Sequence, residues 1–292
     1  MWKKIIIGLT FFLFAGIFSA NAGWVIIQQS HDSFGNKSFG TTFIQDSLIR
    51  IDKPTSINII NLNKKTITLI FAQQRSYWKG TAQELNKTTT QMAEEQMTKL
   101  MALAPEPQRQ QIKQALDSLR KNRGKPDSLR SFPQVIVKNT GHSDTIIGYP
   151  AVKYEIIIDS TLKQYIWVTR KVKPYQKANI KRLMAFSRAM SPYAIENSLS
   201  HSKKYMQLLM EGFILKSVNY TTDGNKLVTR VTRIKQMKIP EAMFQIPPGY
   251  FPTTLENVMI LDIKNNILHP DNLSPKNNGL PPLPQNNNIN PK

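Results

Sequence analysis

The sequence predicts an α+β, mainly β, fold in which an antiparallel sheet is interrupted by two helical insertions. Apolar residues recur at every second position over most of the chain, as in half-buried strands. Two segments switch instead to helical spacing and to Ala, Gln, Glu, Lys, Met and Leu. The 292-residue chain contains no Cys, so such a domain must be held by its core rather than by disulfides.

Residues 24–29 form a β-branched apolar run, Gly35-Asn36-Lys37 a turn and residues 38–45 a second strand. Asp46 connects tightly to a third strand over 48–51, which Lys53-Pro54 closes. Ile57 and Ile59 lead into a turn at Asn61-Leu62-Asn63-Lys64-Lys65. The next strand sets Ile67, Leu69 and Phe71 against Thr66 and Thr68. A period of two with one wet side describes an antiparallel meander. The spacing of Leu85, Met92, Met97, Leu100 and Met101 then predicts a helix over 81–103, with Thr81 and Glu84 as a capping box. Pro105 and Pro107 break it, and residues 108–120 resume it with Ile112, Ala115, Leu116 and Leu119 on one stripe. Residues 121–133 read as a loop.

Strands return over 134–138. Val152, Tyr154, Ile156 and Ile158 alternate through the next one, and residues 165–169 follow a turn at Asp159-Ser160. The second insertion predicts a helix over 175–190, apolar at Ile180, Leu183, Met184 and Phe186 and basic at Lys177, Lys181, Arg182 and Arg188. A short helix is expected over 202–210. Residues 213–220 and 226–237 read as a hairpin around Asp223-Gly224-Asn225, and the ordered part closes near Tyr250.

The chain opens like a secretory signal. Lys3 and Lys4 precede an apolar run over 5–18, and Ser19-Ala20-Asn21-Ala22 places Ala20 and Ala22 where a signal peptidase reads. Cleavage is expected after Ala22. The expected organisation is a signal peptide over 1–22, a curved-sheet domain over 23–262 and a disordered Asn- and Pro-rich tail over 263–292. The apolar run is shorter than the ~20 residues a membrane-spanning helix needs, so a periplasmic or secreted location is expected. With 39 Lys+Arg against 19 Asp+Glu, and without Lys3 and Lys4, the net charge is about +18. Such a field attracts anionic surfaces.

No sequence pattern asks for catalysis, a metal or a cofactor, and a non-enzymatic role is expected. His31, His142, His201 and His269 have no partners at metal-ligand spacing. The nucleophile-elbow, phosphate-loop, dinucleotide and zinc-protease motifs are absent. Nucleic acid is not an expected partner, since no aromatic stacking platform is evident. Two other patterns carry functional information. The helical insertions are rich in methionine, a flexible side chain over-used on surfaces that take variable apolar ligands. Met92, Met97, Met101, Met184 and Phe186 are the candidate ligand-binding residues, with core packing the plain alternative. Arg170, Lys171, Lys173, Lys177, Lys181 and Arg182 form a basic cluster, either a solvated face or a contact for anionic membrane or lipid headgroups.

The stretch Thr140-Gly141-His142-Ser143-Asp144-Thr145-Ile146-Ile147-Gly148-Tyr149, followed by Lys153-Tyr154-Glu155, resembles a T-G-x-x-x-T-I-x-G-Y … K-Y-E signature. That signature marks an uncharacterised family of exported bacterial proteins grouped by fold with the outer-membrane lipoprotein carriers LolA and LolB. Ile166-Trp167-Val168-Thr169 resembles its I-W-V-T strand, and Phe244-Gln245-Ile246-Pro247-Pro248-Gly249-Tyr250 its closing F-x-x-P-x-G-Y. The likeness spans roughly residues 23–251. It implies an open half-barrel, a strongly curved antiparallel sheet with helices on its concave side. No residue here matches a carrier's lipoprotein-handling position, so the fold carries over further than the function. The expectation is a non-enzymatic exported cell-envelope protein that binds a lipid, lipoprotein or other apolar ligand in the half-barrel. The alternative is a basic envelope protein docking on anionic membrane or a protein partner without a cavity.

Overall fold

In the computed structural model, residues 22–122, 132–176, 178–190, 195–221, 224–258 and 260 are described. The expected signal peptide up to Asn21, the expected tail and Lys177 lie outside them. Alternation builds the first meander as expected. Strands β1 (Ala22–Asp32), β2 (Lys37–Gln45), β3 (Leu48–Asp52), β4 (Ile57–Asn61) and β5 (Thr66–Phe71) are successive antiparallel neighbours, and β6 (Ser76–Thr81) extends them. A second meander runs through β7 (Val135–Ile146), β8 (Tyr149–Ile158), β9 (Thr161–Thr169), β10 (Phe213–Tyr220) and β11 (Lys226–Lys238). Pairing of β1 with β11 joins the two into one open, curved sheet, with β7 at one edge and the two-residue β12 (Phe251–Pro252) at the other.

Register sets the inner face. Trp24, Ile44, Ile49, Ile60 and Ile67 are direct partners across five strands, and all four isoleucines are 5% exposed or less. Helices cover this ladder. Thr81 caps α1 (Ala82–Leu103) in the expected capping box: its hydroxyl accepts from the Glu84 N–H at 3.2 Å, and Glu84 Oε2 accepts from the Thr81 N–H at 2.6 Å. The Thr81 N–H and the Thr81 hydroxyl, both donating to Glu84 Oε2, hold the Glu84 carboxyl below the usual carboxylate range. Ala104 turns extended (φ −78°, ψ 146°), as a residue before proline must, and α2 (Glu106–Asn122) folds back on α1. The second insertion holds α3 (Ile180–Met190), α4 (Ile195–His201) and α5 (Lys203–Glu211), the last capped by Ser202.

Helix α3 starts five residues later than its apolar pattern predicts. Asn179 sits at φ +58° and its side-chain oxygen accepts the Arg182 N–H, so the helix begins after it. Strand β7 is longer than expected because a bulge carries it past Asn139. The Asn139 side chain accepts the Gly141 N–H at 2.9 Å, and Gly141 takes φ +76°. The hairpin to β8 has φ +45° at Ile147 and +81° at Gly148, a type I′ turn. The signature residues are thus largely architectural. Gly141 and Gly148 shape the hairpin, Tyr154 packs with Tyr205 and Leu208, and Glu155 pairs with Lys138 at 3.4 Å.

The outer face of the first meander is also apolar and needs its own cover. After β11 the chain crosses it as a strap: Ile239, Met243 and Phe244 pack on Val25 and Phe43. Arg50, 7% exposed, fixes the strap from below. Its guanidinium bonds both oxygens of Asp52 at 2.6 and 3.0 Å and donates to the Met243 carbonyl at 2.7 Å. The strap then hydrogen-bonds Arg75 and Tyr77 at the β6 side, and beyond it Leu255 and Val258 pack on Phe71.

Breaking a buried ion pair from one side leaves a carboxylate uncompensated. Arg50→Ala is expected to cost about 3–5 kcal/mol in urea unfolding, and Arg50→Ala with Asp52→Ala distinctly less. A single-variant loss below about 1 kcal/mol contradicts this role.

Candidate functional site

Packing is tight over the isoleucine ladder and looser over the second meander. Between α3, α5 and the strands β9, β10, β11 and β1 lies a cavity of about 300 Å³. Helical spacing puts Ile180, Leu183 and Met184 on one face of α3, and Tyr205 and Leu209 on one face of α5. Leu215 and Val231 continue the apolar wall on the sheet. Gly212, at the end of α5, lets the helix approach β9: a Cβ there would stand 2.5 Å from the Thr169 carbonyl oxygen.

Phe213 and Ile214 are apolar as well, but another part of the sheet-side wall is polar. Gln28, Thr229, Ser217 and Gln164 come from four adjacent strands, β1, β11, β10 and β9. Thr229 Oγ1 and Ser30 Oγ share a hydrogen bond of 2.8 Å, and Ser217 Oγ accepts from Asn219 Nδ2 at 3.4 Å. Gln164 Oε1 is shut off from solvent, and no hydrogen bond reaches it from the described residues. Tyr175 packs its ring 5.8 Å from that of Phe213, and burial pushes its phenol up from 10.0 to about 12. Among the described residues of the wall, Lys216 is the one that carries a charge. Its ammonium stands 4.2 Å over the Trp167 ring, and as the register partner of Trp167 it shares the face opposite Ser217.

A second cleft of about 380 Å³ lies where β9 leaves the sheet, lined by Arg170, Lys171 and Lys173 together with Trp24 and Gln236. Arg170 donates to Glu211 at 2.9 Å. Hydrogen bonds from Gln207 and Arg170 hold the Glu211 carboxyl below its usual range. Lys171 and Lys173 are exposed.

Of the residues singled out in the sequence, Met184 is on the cavity wall and Phe186 is buried in the main core. Met92, Met97 and Met101 are half-buried on α1 and are not among the lining residues. The basic cluster divides. Arg170, Lys171 and Lys173 line the second cleft, whereas Lys181 and Arg182 are exposed on α3, with Arg182 donating to Asn63 at 3.0 Å. Sequence reasoning passed over Gln28, Gln164, Ser217 and Thr229. Their signal was polarity at positions that the strand period turns inward. Among the described residues no three His, Cys, Asp or Glu are grouped to hold a metal ion, and no helix is long and apolar enough to cross a membrane.

Fold and site together define an open-sheet domain with a cavity between its concave face and a helical cover. The chain belongs to the family described as Domain of unknown function (DUF4412), whose profile matches residues 63–250 and so takes in the signature residues. No curated protein matches it. Among solved structures, PNGF-II is 13% identical over 84% of this chain and 33% of its own length, with a TM-score of 0.37. MucB in complex with MucA(peri) is 10% identical over 80% of this chain and 57% of its own, with a TM-score of 0.28. A LolA superfamily protein from Nitrosomonas europaea is 7% identical over 78% of this chain and 91% of its own, with a TM-score of 0.24. The chain thus spans a third of PNGF-II and little more than half of MucB.

The raised Tyr175 pKa has a signed consequence. The folded state holds the phenol proton more firmly than the unfolded chain, so this stability is complete below about pH 10 and is lost as pH rises towards about 12. Tyr175→Phe should therefore lose less stability than wild type across that window in pH-dependent denaturant unfolding. Equal slopes for the two proteins would contradict the burial of this hydroxyl.

Proposed function

We propose that this protein is a non-enzymatic cell-envelope protein that binds a lipid or similar apolar ligand in the cavity beneath α3 and α5. The observation that carries this reading is the cavity itself, roofed by Ile180, Leu183, Met184 and Leu209 on the concave side of an open sheet. Its volume of about 300 Å³ falls at the lower end of the ligand-pocket range. Burial of apolar surface there supplies affinity at about 25 cal/mol per Å². Met184 gives the wall an adaptable side chain. The basic, apolar and small-residue opening of the chain supports export to the envelope.

Filling the cavity tests this. Wild type should take up a fluorescent apolar probe that total lipid extract displaces. Met184→Trp should bind that probe at least about tenfold more weakly while keeping its urea midpoint. Absence of uptake by wild type, or undiminished binding by the variant, sinks the reading.

The basic cleft favours a second, compatible role. Lys171 and Lys173 are exposed beside Arg170, which suits contact with anionic headgroups at the membrane surface. Exposed charges are screened over about 8–10 Å at physiological salt. Sedimentation with phosphatidylglycerol vesicles should therefore occur at low salt, fade at physiological salt and be lost in Lys171→Gln with Lys173→Gln. Salt-independent sedimentation would assign the contact elsewhere.

A further inference from the structure

The outer face of the second meander carries a row of cations that the described residues leave unbalanced. Lys153 on β8, Trp167 on β9, Lys216 on β10 and Arg230 on β11 are successive register partners, so they share the face opposite Ser217. Arg233 and Lys235 continue it along β11, paired with Ile27 and Val25. The Lys153 ammonium stands 4.0 Å over the Tyr165 ring and the Lys216 ammonium 4.2 Å over that of Trp167, which holds both charges at the sheet. Lys216 and Arg230 lie directly opposite each other, an arrangement that costs stability in a sheet. None of these five cations is ion-paired with another described residue. Glu155 on the same face is held by Lys138 at 3.4 Å, and Asp144 lies on the edge strand β7.

Such a surface calls for a partner that brings carboxylates or phosphates, and other observations choose among them. Residues 1–21, 123–131 and 261–292 of this chain each hold more Lys and Arg than Asp and Glu, and a second copy carries the same net positive charge. Nucleic-acid bases stack on open rings, whereas the Tyr165 and Trp167 rings already carry ammonium groups over them. A bilayer is flat, and a row crossing four strands follows the convex back of the curved sheet. A polypeptide can follow that curve and offer carboxylates to the Lys and Arg. Its apolar side chains would meet Val218, half-buried as the register partner of Tyr165. The chain's own strap lies in this way across the outer face of the first meander. We propose that the row is the docking surface for an extended acidic segment of a partner protein, centred on Lys216 and Arg230. This surface is separate from the cavity and does not depend on what the cavity holds.

The probe is a fluorescein-labelled peptide of alternating Glu and Val, blocked at both ends and read by anisotropy at low salt with the full chain. It should bind wild type at least about tenfold tighter than its Gln-for-Glu counterpart. Lys153→Gln with Lys216→Gln and Arg230→Gln should weaken the Glu peptide at least about tenfold. Removing the same charge from the exposed sides of α1 and α2, by Lys87→Gln with Lys99→Gln and Lys113→Gln, should change its affinity less than about twofold. Equal losses in the two variants would assign binding to net charge and overturn the proposal, as would equal binding of the Glu and Gln peptides. A first variant that keeps the peptide but loses oligothymidylate or phosphatidylglycerol vesicles overturns it too. That variant should keep its urea midpoint, since it removes the Lys216–Arg230 opposition. Should it not fold, carbodiimide coupling of the Glu peptide to wild type decides. Coupling to Lys153, Lys216 or Lys235 is expected, and coupling confined to other lysines overturns the proposal.

Discussion

Trp24, Ile44, Ile49, Ile60 and Ile67 stand side by side across five strands, and the rest of the molecule follows from the need to keep them dry. Full burial of one isoleucine side chain contributes about 1.5–3 kcal/mol relative to exposure. A sheet that closes into a barrel would hide such a ladder against its own far wall. This sheet stays open between β12 and β7, so helices must be brought to its inner face from within the chain. The insertion after β6 and the insertion after β9 both serve that end, and Ala82, Leu85, Leu183 and Phe186 belong to the same core as the ladder.

The strap answers the matching problem outside. Val25 and Phe43 alternate with the inner residues and would be exposed without Ile239, Met243 and Phe244. The buried Arg50 ties this layer to β3 through Asp52 and the Met243 carbonyl. Over the second meander the conditions differ. Where β1 joins the second meander, inward positions turn to Gln28, Thr229, Ser217 and Gln164, and helices cannot seal onto such a surface as closely as onto isoleucine. The cavity lies where the apolar inner face gives way to a polar one, and its mixed wall follows directly from that boundary.

Much of this was legible in the residues. The first meander could be read strand by strand because its alternation is clean, and the Thr81–Glu84 box marked the start of α1. Strand β6 was not apparent, since Ser76-Tyr77-Trp78-Lys79-Gly80-Thr81 has no apolar alternation and runs straight into a helix cap. The start of α3 was misplaced because Val172, Pro174 and Ala178 are buried in a loop, which gives that loop a core-like composition. The candidate site was legible only in part. Met184 lies on the wall, but the cavity is assembled by register between β1, β11, β10 and β9, and nothing local in the sequence links Gln28 to Gln164. Methionine content pointed to α1 as well as α3, yet the wall residues that decide polarity are on strands.

Hydrogen exchange of the full chain with and without saturating dodecanol tests the central claim most directly. Amides of α3, α5 and the adjoining stretches of β9, β10 and β11 should slow when the ligand is present, while those of β2 to β5 and α2 keep their rates. Slowing confined to α1 and α2 or to the outer strap, or no slowing at all, would contradict a ligand site between the concave sheet and its second helical cover.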